Sequence, residues 1–326
     1  MATRYSLVVP VYRNEEMIAD LLAALAGVDS ALGGGLEVVF VVDGSPDRSL
    51  ARLVELLPRT GLTAKLLEMS RNFGAFAAIR AGLNEASGPY FAVMAADLQE
   101  PPELAVEFFR RLEQGSCDVV CGVRATRDDP WRTRLASNLF WALYRRLVQP
   151  EMPPGGVDVF GCNLPARDAL VALTEAHSSL IGQLLWIGMR RDEVPYHRRA
   201  RRHGKSGWTF RRKITYMLDS SLAFSDLPIR LLFGVGMLAL AVAIVYGAIV
   251  LFARVTGLIV EPGYAPTVLL ISGFGALNAL GLSVVGAYAW RAFENTKARP
   301  LAIVRRRFAF GEGEAVAAPT SMRAHQ

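Results

Sequence analysis

Asp97 is the residue from which the chemistry can be read. It follows an apolar run at 90–95 and stands two positions before Gln99. A carboxylate at a strand end, beside a second oxygen donor, can hold a divalent cation that also binds a diphosphate. Mg²⁺ prefers oxygen ligands and commonly takes only one or two carboxylates beside substrate phosphates. Such a cation stabilises negative charge building on a departing diphosphate. The plainer reading of one such aspartate is a helix N-cap, because Pro101 and Pro102 open a helix directly after it. Three more polar clusters follow apolar runs: Pro10, Tyr12 and Glu15; Asp43, Gly44, Ser45 and Asp47; Ser70, Arg71 and Asn72. A segment at 124–149 carries Arg124, Arg127, Arg132, Arg134, Arg145 and Arg146. Guanidinium forks match phosphate oxygens geometrically.

These residues need a frame. Apolar runs at 5–11, 37–42, 64–69, 90–95 and 118–123 are continuous, as strands buried on both faces are. Amphipathic helical patterns lie between them at 15–27, 47–58, 74–86 and 102–114. The alternation predicts an α/β domain with a mostly parallel central sheet and helices on both faces. Right-handed crossovers then put the strands' carboxyl ends along one edge. Ligands of open α/β sheets bind at that edge, and all four polar clusters fall there. Beyond it, Pro153-Pro154-Gly155-Gly156 is a turn leading into Val157–Phe160, 166–189 reads as helical, and 196–208 reads as a basic loop.

The C-terminal third is different. No charged residue occurs between Leu231 and Ala253, nor between Ala265 and Trp290. Either run is long enough to cross a hydrocarbon core of roughly 30 Å as a helix. A buried soluble helix is the alternative for one run, and a poor one for two in tandem. The net charge of +6 is concentrated at 190–213 and 291–307, the flanks of this hairpin. Basic flanks stay cytoplasmic, so the large domain is expected inside the cell at the inner membrane, on a multi-pass chain. They also attract anionic headgroups. Nucleic-acid binding is the rival reading of a basic surface, but no such motif accompanies the charge.

Phe210, Ile214, Met217, Leu218 and Leu222 recur at helical spacing just before the first span, which predicts an interfacial amphipathic helix. Gly275, Ala279, Ser283 and Ala287 form a small-residue face that another helix could approach closely, from the first span or from another subunit. Tyr5–Val11 is too short for a signal peptide. Cys117, Cys121 and Cys162 lack metal-ligand spacing and read as buried thiols of a reducing compartment.

Several segments together resemble glycosyltransferase family 2, and within it the polyprenyl-phosphate branch that includes dolichol-phosphate mannose synthase and bacterial polyprenyl-phosphate glucosyltransferases. They are Val9-Pro10-Val11-Tyr12 with Glu15-Glu16, Asp43-Gly44-Ser45-Pro46-Asp47, Ser70-Arg71-Asn72-Phe73-Gly74, Asp97-Leu98-Gln99-Glu100-Pro101-Pro102, Gly204-Lys205-Ser206 and Lys297-Ala298-Arg299-Pro300-Leu301. The resemblance implies a GT-A-type nucleotide-diphospho-sugar domain over 1–208, an interfacial helix over 209–228, a two-helix transmembrane hairpin over 229–293, and a cytoplasmic basic segment and disordered tail over 294–326. It implies a UDP- or GDP-linked sugar as donor, polyprenyl phosphate as acceptor, and a divalent metal, Mg²⁺ or Mn²⁺. It also implies contact with the lipid bilayer and a homo-oligomer.

The roles it implies are specific. Pro10, Tyr12, Glu15 and Asp43 would line the base and ribose pocket, with Arg71 and Asn72 also on the donor. Asp97 and Gln99 would bind metal and diphosphate. Asp158 would face the sugar or the reaction centre. Arg124, Arg134, Arg202, Lys205 and Ser206 would hold the lipid phosphate, the donor diphosphate, or both.

Two positions depart from the family. Ala95-Ala96-Asp97 stands where Asp-x-Asp is usual, and Val42-Asp43 where two aspartates are usual. The first leaves open a weaker metal site, a shift of charge neutralisation to the basic loop, a different donor, or a fold retained as a non-catalytic membrane scaffold. Another acceptor, such as a growing polysaccharide, is a further rival, but the Gln-x-x-Arg-Trp motif of processive synthases is absent. An acceptor monophosphate is already anionic, with a second pKa of about 6, so it needs no general base. Direct attack on the anomeric carbon would invert its configuration, and catalysis would reduce to alignment and charge balance.

Overall fold

The computed structural model describes residues 3–124, 142, 144–146, 148–153, 156–175, 178–199, 220, 222–225, 227–256 and 263–311. Its centre is one eight-stranded sheet. The strands are β1 (Tyr5–Val11), β2 (Leu36–Val42), β3 (Thr63–Met69), β4 (Tyr90–Val93), β5 (Val119–Arg124), β6 (Phe160–Asn163), β7 (Arg191–Tyr196) and β8 (Val304–Phe310), in the order β7-β5-β6-β4-β1-β2-β3-β8. Helices α1 (Ile18–Ala31), α2 (Ser49–Leu56), α3 (Ala75–Glu85) and α4 (Glu103–Glu113) are the crossovers. All seven residues of β2 are buried, the pattern of a strand covered on both faces. One apolar cluster joins Leu7, Val38, Phe40 and Leu66 to Leu21, Leu25, Phe108 and Phe109. A second, on the other face, joins Val8, Val39 and Val41 to Ile79 and Leu83. Cys117, Cys121 and Cys162 are free and buried, as their sequence context implies.

The sheet is mixed rather than simply parallel. β6 runs antiparallel between β4 and β5, and β8 runs antiparallel to β3. The carboxyl ends of the other six strands and the amino ends of these two share one edge. That places Asp158, just before β6, beside the ends of β4 and β5. The helical reading of 166–189 resolves into two helices, α5 (Leu164–Ala172) and α6 (Leu180–Trp186), followed by β7. β8 lies inside the stretch read from sequence as a basic segment. Its Arg306 pairs with Glu68, and Arg307 is 2.8 Å from Glu85, so these cations serve sheet docking.

Two long helices, α7 (Leu227–Val255) and α8 (Tyr264–Thr296), separate α6 and β7 from β8. Each contains a segment long and apolar enough to cross a membrane, Pro228–Ile249 and Gly273–Thr296, and neither segment is buried in the protein. They are therefore not core helices of the sheet domain. The two pack where Leu232 meets Gly281, while a Cβ at Gly275 would meet nothing within 4 Å. The small-residue face thus lies away from α7 at Gly275. Before α7, the ring of Phe224 lies against α6, where a Cβ on Gly182 would approach it to 2.3 Å. After α8, the Ser70 N–H donates to the Ile303 carbonyl at 2.9 Å and β8 joins β3. Both ends of the helical pair are thereby fixed to the sheet domain. Of the expected interfacial helix, Ser220 and Leu222–Phe224 are helical; its remainder up to 219 lies outside the described residues.

Candidate active site

The first two strand-end loops are locked together. Arg13 takes a left-handed conformation (φ 57°), a strained one for a residue with a Cβ. Its N–H donates to Ser45 Oγ at 2.8 Å, and the Asn14 N–H donates to Ser49 Oγ at 3.2 Å. Asp47 accepts from Ser45 Oγ at 2.6 Å, Ser49 Oγ at 2.9 Å and the Glu15 N–H at 3.1 Å. Burial disfavours the Asp47 carboxylate, but the Ser45 and Ser49 hydroxyls outweigh it and hold the group below its usual range. Glu15 accepts the Arg48 N–H at 3.0 Å, which joins its carboxylate to the start of α2. Tyr12 is left exposed, and Pro10 sits on β1 beyond Val8, the last residue that pairs with β4.

Asp43 is buried and accepts two backbone N–H groups, from Phe73 at 2.7 Å and Gly74 at 2.8 Å. Its carboxylate therefore closes the amino end of α3, where anionic groups are favoured. Asn72 donates its side-chain amide to the Asp43 carbonyl at 3.2 Å. Gly44 (φ 57°) sits so close that a Cβ would lie 2.4 Å from the Arg71 carbonyl carbon, so only glycine permits this contact of loops. The exposed Arg71 guanidinium lies 4.0 Å from the centre of the Phe73 ring.

Asp97 does not cap α4. The helix begins after Pro102 without a side-chain cap, and Asp97 Oδ1 accepts the Gln99 N–H at 3.3 Å. Leu98 between them is left-handed (φ 52°), a conformation a leucine adopts only when its surroundings impose it. The tight turn presents Gln99 to the segment after β7. Arg198 Nη2 donates to Gln99 Oε1 at 2.6 Å, and the Arg199 N–H donates to the Gln99 carbonyl at 2.8 Å. Glu100 is 2% exposed; its Oε1 lies 3.5 Å from Arg198 Nε, and its Oε2 has no hydrogen-bond partner among the described residues. Burial, reinforced by the charges of Asp97 and Asp158 and opposed by Arg198, pushes this carboxyl up to about 7.

Asp158 and Arg124 form a two-point pair, with Arg124 Nη2 donating to Oδ1 at 2.8 Å and Nε to Oδ2. Tyr196 Oη donates to the same carboxylate at 2.8 Å. Burial opposes the Arg124 charge, but Asp158 more than restores it and raises its pKa; burial and Asp158 likewise raise that of Tyr196. The structure thus brings Asp97, Gln99, Asp158 and Arg124 into one region with Glu100, Tyr196 and Arg198. Sequence reasoning missed Tyr196 and Arg198, because β7 carries Arg191, Asp192, Glu193 and Pro195 and shows no strand pattern. The basic composition at 196–208 was the available signal. Arg134, Arg202, Lys205 and Ser206 lie outside the described residues.

Among the described residues, no three acidic, histidine or cysteine side chains stand close enough to hold a metal ion. Asp97 and Gln99 offer oxygen donors only, a set that suits Mg²⁺ or Mn²⁺ when substrate phosphates complete the shell. The residues present fit such a cation on that condition.

A mixed sheet with its polar loops gathered at one edge defines a GT-A-like α/β domain. The chain belongs to Glycosyl transferase family 2, whose sequence pattern matches residues 6–172. A Synechocystis glycosyltransferase, sll0501, itself uncharacterized, is 29% identical over 93% of this chain and 95% of its own. The undecaprenyl-phosphate 4-deoxy-4-formamido-L-arabinose transferase of Edwardsiella ictaluri is 30% identical over 90% of this chain and 91% of its own. Glucosyl-3-phosphoglycerate synthase of Mycobacterium tuberculosis, solved with Mn²⁺, UDP-glucose and phosphoglyceric acid, superimposes with a TM-score of 0.50 at 17% identity, covering 67% of this chain and 80% of that one. This last likeness is one of fold.

Proposed function

We propose that this glycosyltransferase moves a sugar from a nucleoside diphosphate to a polyprenyl phosphate, with inversion, at the cytoplasmic face of the inner membrane. The observation that carries the reading is the meeting of the Asp97–Gln99 turn with Tyr196–Arg199, beside Asp158 and Arg124. One side offers oxygen donors for a cation and diphosphate. The other offers guanidinium groups, and the chain runs on from it into Arg202, Lys205 and Ser206 and then to the apolar hairpin. The Edwardsiella relative, by its name, acts on undecaprenyl phosphate, and the mycobacterial synthase was solved with Mn²⁺ and a UDP-sugar. Both support this donor and acceptor.

In this reading Pro10, Tyr12, Glu15, Asp43, Arg71 and Asn72 form the nucleotide side. Asp43 and Glu15 act by fixing loops, since their carboxylates are engaged with backbone N–H groups. Asp97 and Gln99 would hold Mg²⁺ or Mn²⁺, which would supply charge stabilisation to the leaving diphosphate. Asp158 holds Arg124 by two hydrogen bonds, so its guanidinium is set in place before substrate arrives. Arg124, with Arg134, Arg202, Lys205 and Ser206, offsets the repulsion between acceptor phosphate and donor diphosphate. The phosphate oxygen attacks the anomeric carbon and the nucleoside diphosphate leaves from the opposite side. The two apolar helices bring a bilayer-embedded acceptor to this edge, and their basic flanks keep the domain cytoplasmic.

Washed membranes carrying the protein should transfer labelled sugar from a panel of UDP- and GDP-sugars into an organic-extractable product when polyprenyl phosphate and Mn²⁺ are present. Asp97→Asn should abolish that transfer while the protein still folds. No product across the panel from the unaltered protein contradicts the reading.

A further inference from the structure

Position 95 poses a problem that the structure answers nearby. The turn after β4 carries Ala95, so Asp97 has no carboxylate two residues before it. Three residues after it, however, stands Glu100, whose carboxylate is buried and only loosely held. Oε1 is 3.5 Å from Arg198 Nε, a long ion pair, and Oε2 has no hydrogen-bond partner among the described residues. A buried carboxylate costs several kcal/mol unless its lone pairs are used, so a fold rarely keeps one without a purpose. Glu100 also lies within electrostatic reach of both Asp97 and Asp158.

Local geometry explains how Glu100 could substitute. The left-handed Leu98 turns the chain sharply, and Pro101 and Pro102 then start α4. Arg198 holds Gln99 Oε1 and approaches Glu100 Oε1, so it orients both side chains, while the buried Oε2 accepts no hydrogen bond among the described residues.

We propose that Glu100 supplies the second carboxylate of a divalent-cation site shared with Asp97, in place of the one missing at position 95. This rests on the reading of Asp97 as a cation ligand. The site is then two carboxylates and an amide oxygen, completed by the donor's phosphates, a composition within the range Mg²⁺ and Mn²⁺ accept.

The test is Mn²⁺ binding, followed by electron paramagnetic resonance on the full chain in lipid nanodiscs with saturating UDP. Glu100→Gln should weaken Mn²⁺ binding about tenfold or more, the scale on which metal sites respond to their surroundings. Ala95→Asp added to Glu100→Gln should bring the affinity back to within about threefold of the unaltered protein. If Glu100→Gln binds Mn²⁺ like the unaltered protein while Asp97→Asn does not, Glu100 is no ligand and the proposal falls alone. If Asp97→Asn also binds normally, the reading of Asp97 falls with it. Weakening by Glu100→Gln that Ala95→Asp fails to restore means that Glu100 only shapes the turn, which also overturns the proposal.

Discussion

Asp43 shows how a residue can be placed from the sequence while the bonds it makes cannot. An aspartate after β2 is legible in the sequence as part of a ligand edge, yet its two oxygens accept the N–H groups of Phe73 and Gly74, thirty residues away. Asp43→Asn replaces one acceptor with a donor facing an N–H. It should cost about 2 kcal/mol in denaturant unfolding and weaken nucleotide-sugar binding by loosening the Arg71–Asn72 loop. Unchanged unfolding would show that these bonds contribute nothing. Glu100 allows a prediction in pH. Its carboxyl, raised from the usual 4.5 to about 7, favours the neutral form in the folded protein. The stability linked to it is therefore complete below pH 4.5 and is lost as pH rises through about 7. With divalent cations chelated, Glu100→Gln should be more stable than the unaltered protein at pH 8 by about 3 kcal/mol, and should differ little near pH 4.5. An equal difference at both values would remove burial of the charge as the cause.

At the scale of elements, legibility followed burial. β1 and β2 are runs of seven residues with both faces covered, and their largely apolar continuity marks them in the sequence; β3 is marked less strongly, since Lys65 and Glu68 interrupt it. The strands that escaped are those whose stability comes from distant partners. β6 has four residues, and β8 reads Val-Arg-Arg-Arg-Phe-Ala-Phe. Nothing local announces a strand there, because the acids that accept its arginines, Glu68 and Glu85, lie more than two hundred residues earlier. The site divides the same way. The strand-end residues Asp97, Gln99 and Asp158 could be named from the sequence, but the bonds from Arg198 to Gln99 and from Tyr196 to Asp158 could not. If the Arg306–Glu68 pair docks β8, Arg306→Glu should lower stability by about 1 kcal/mol, and the charge swap with Glu68→Arg should recover it. Failure of the swap would assign β8 docking to its backbone pairing alone.

For the whole molecule, the account requires that the apolar helices and the sugar-transfer edge act as one body. Phe224 seated on Gly182 fixes the entry to the hairpin, and β8 on β3 fixes the exit. Gly182→Val should displace the Phe224 ring and lower transfer to lipid acceptor about tenfold, since alignment errors near 1 Å cost more than that, while UDP-sugar binding measured by calorimetry stays unchanged. Loss of both together would point to a folding defect instead.

The most direct measurement is mass spectrometry of the lipid-linked sugars in membranes from cells carrying the unaltered chain or its Asp97→Asn variant. The account predicts a polyprenyl-phosphate monosaccharide that is present with the first and absent with the second. Identical lipid profiles, with both proteins folded and in the membrane, would contradict it.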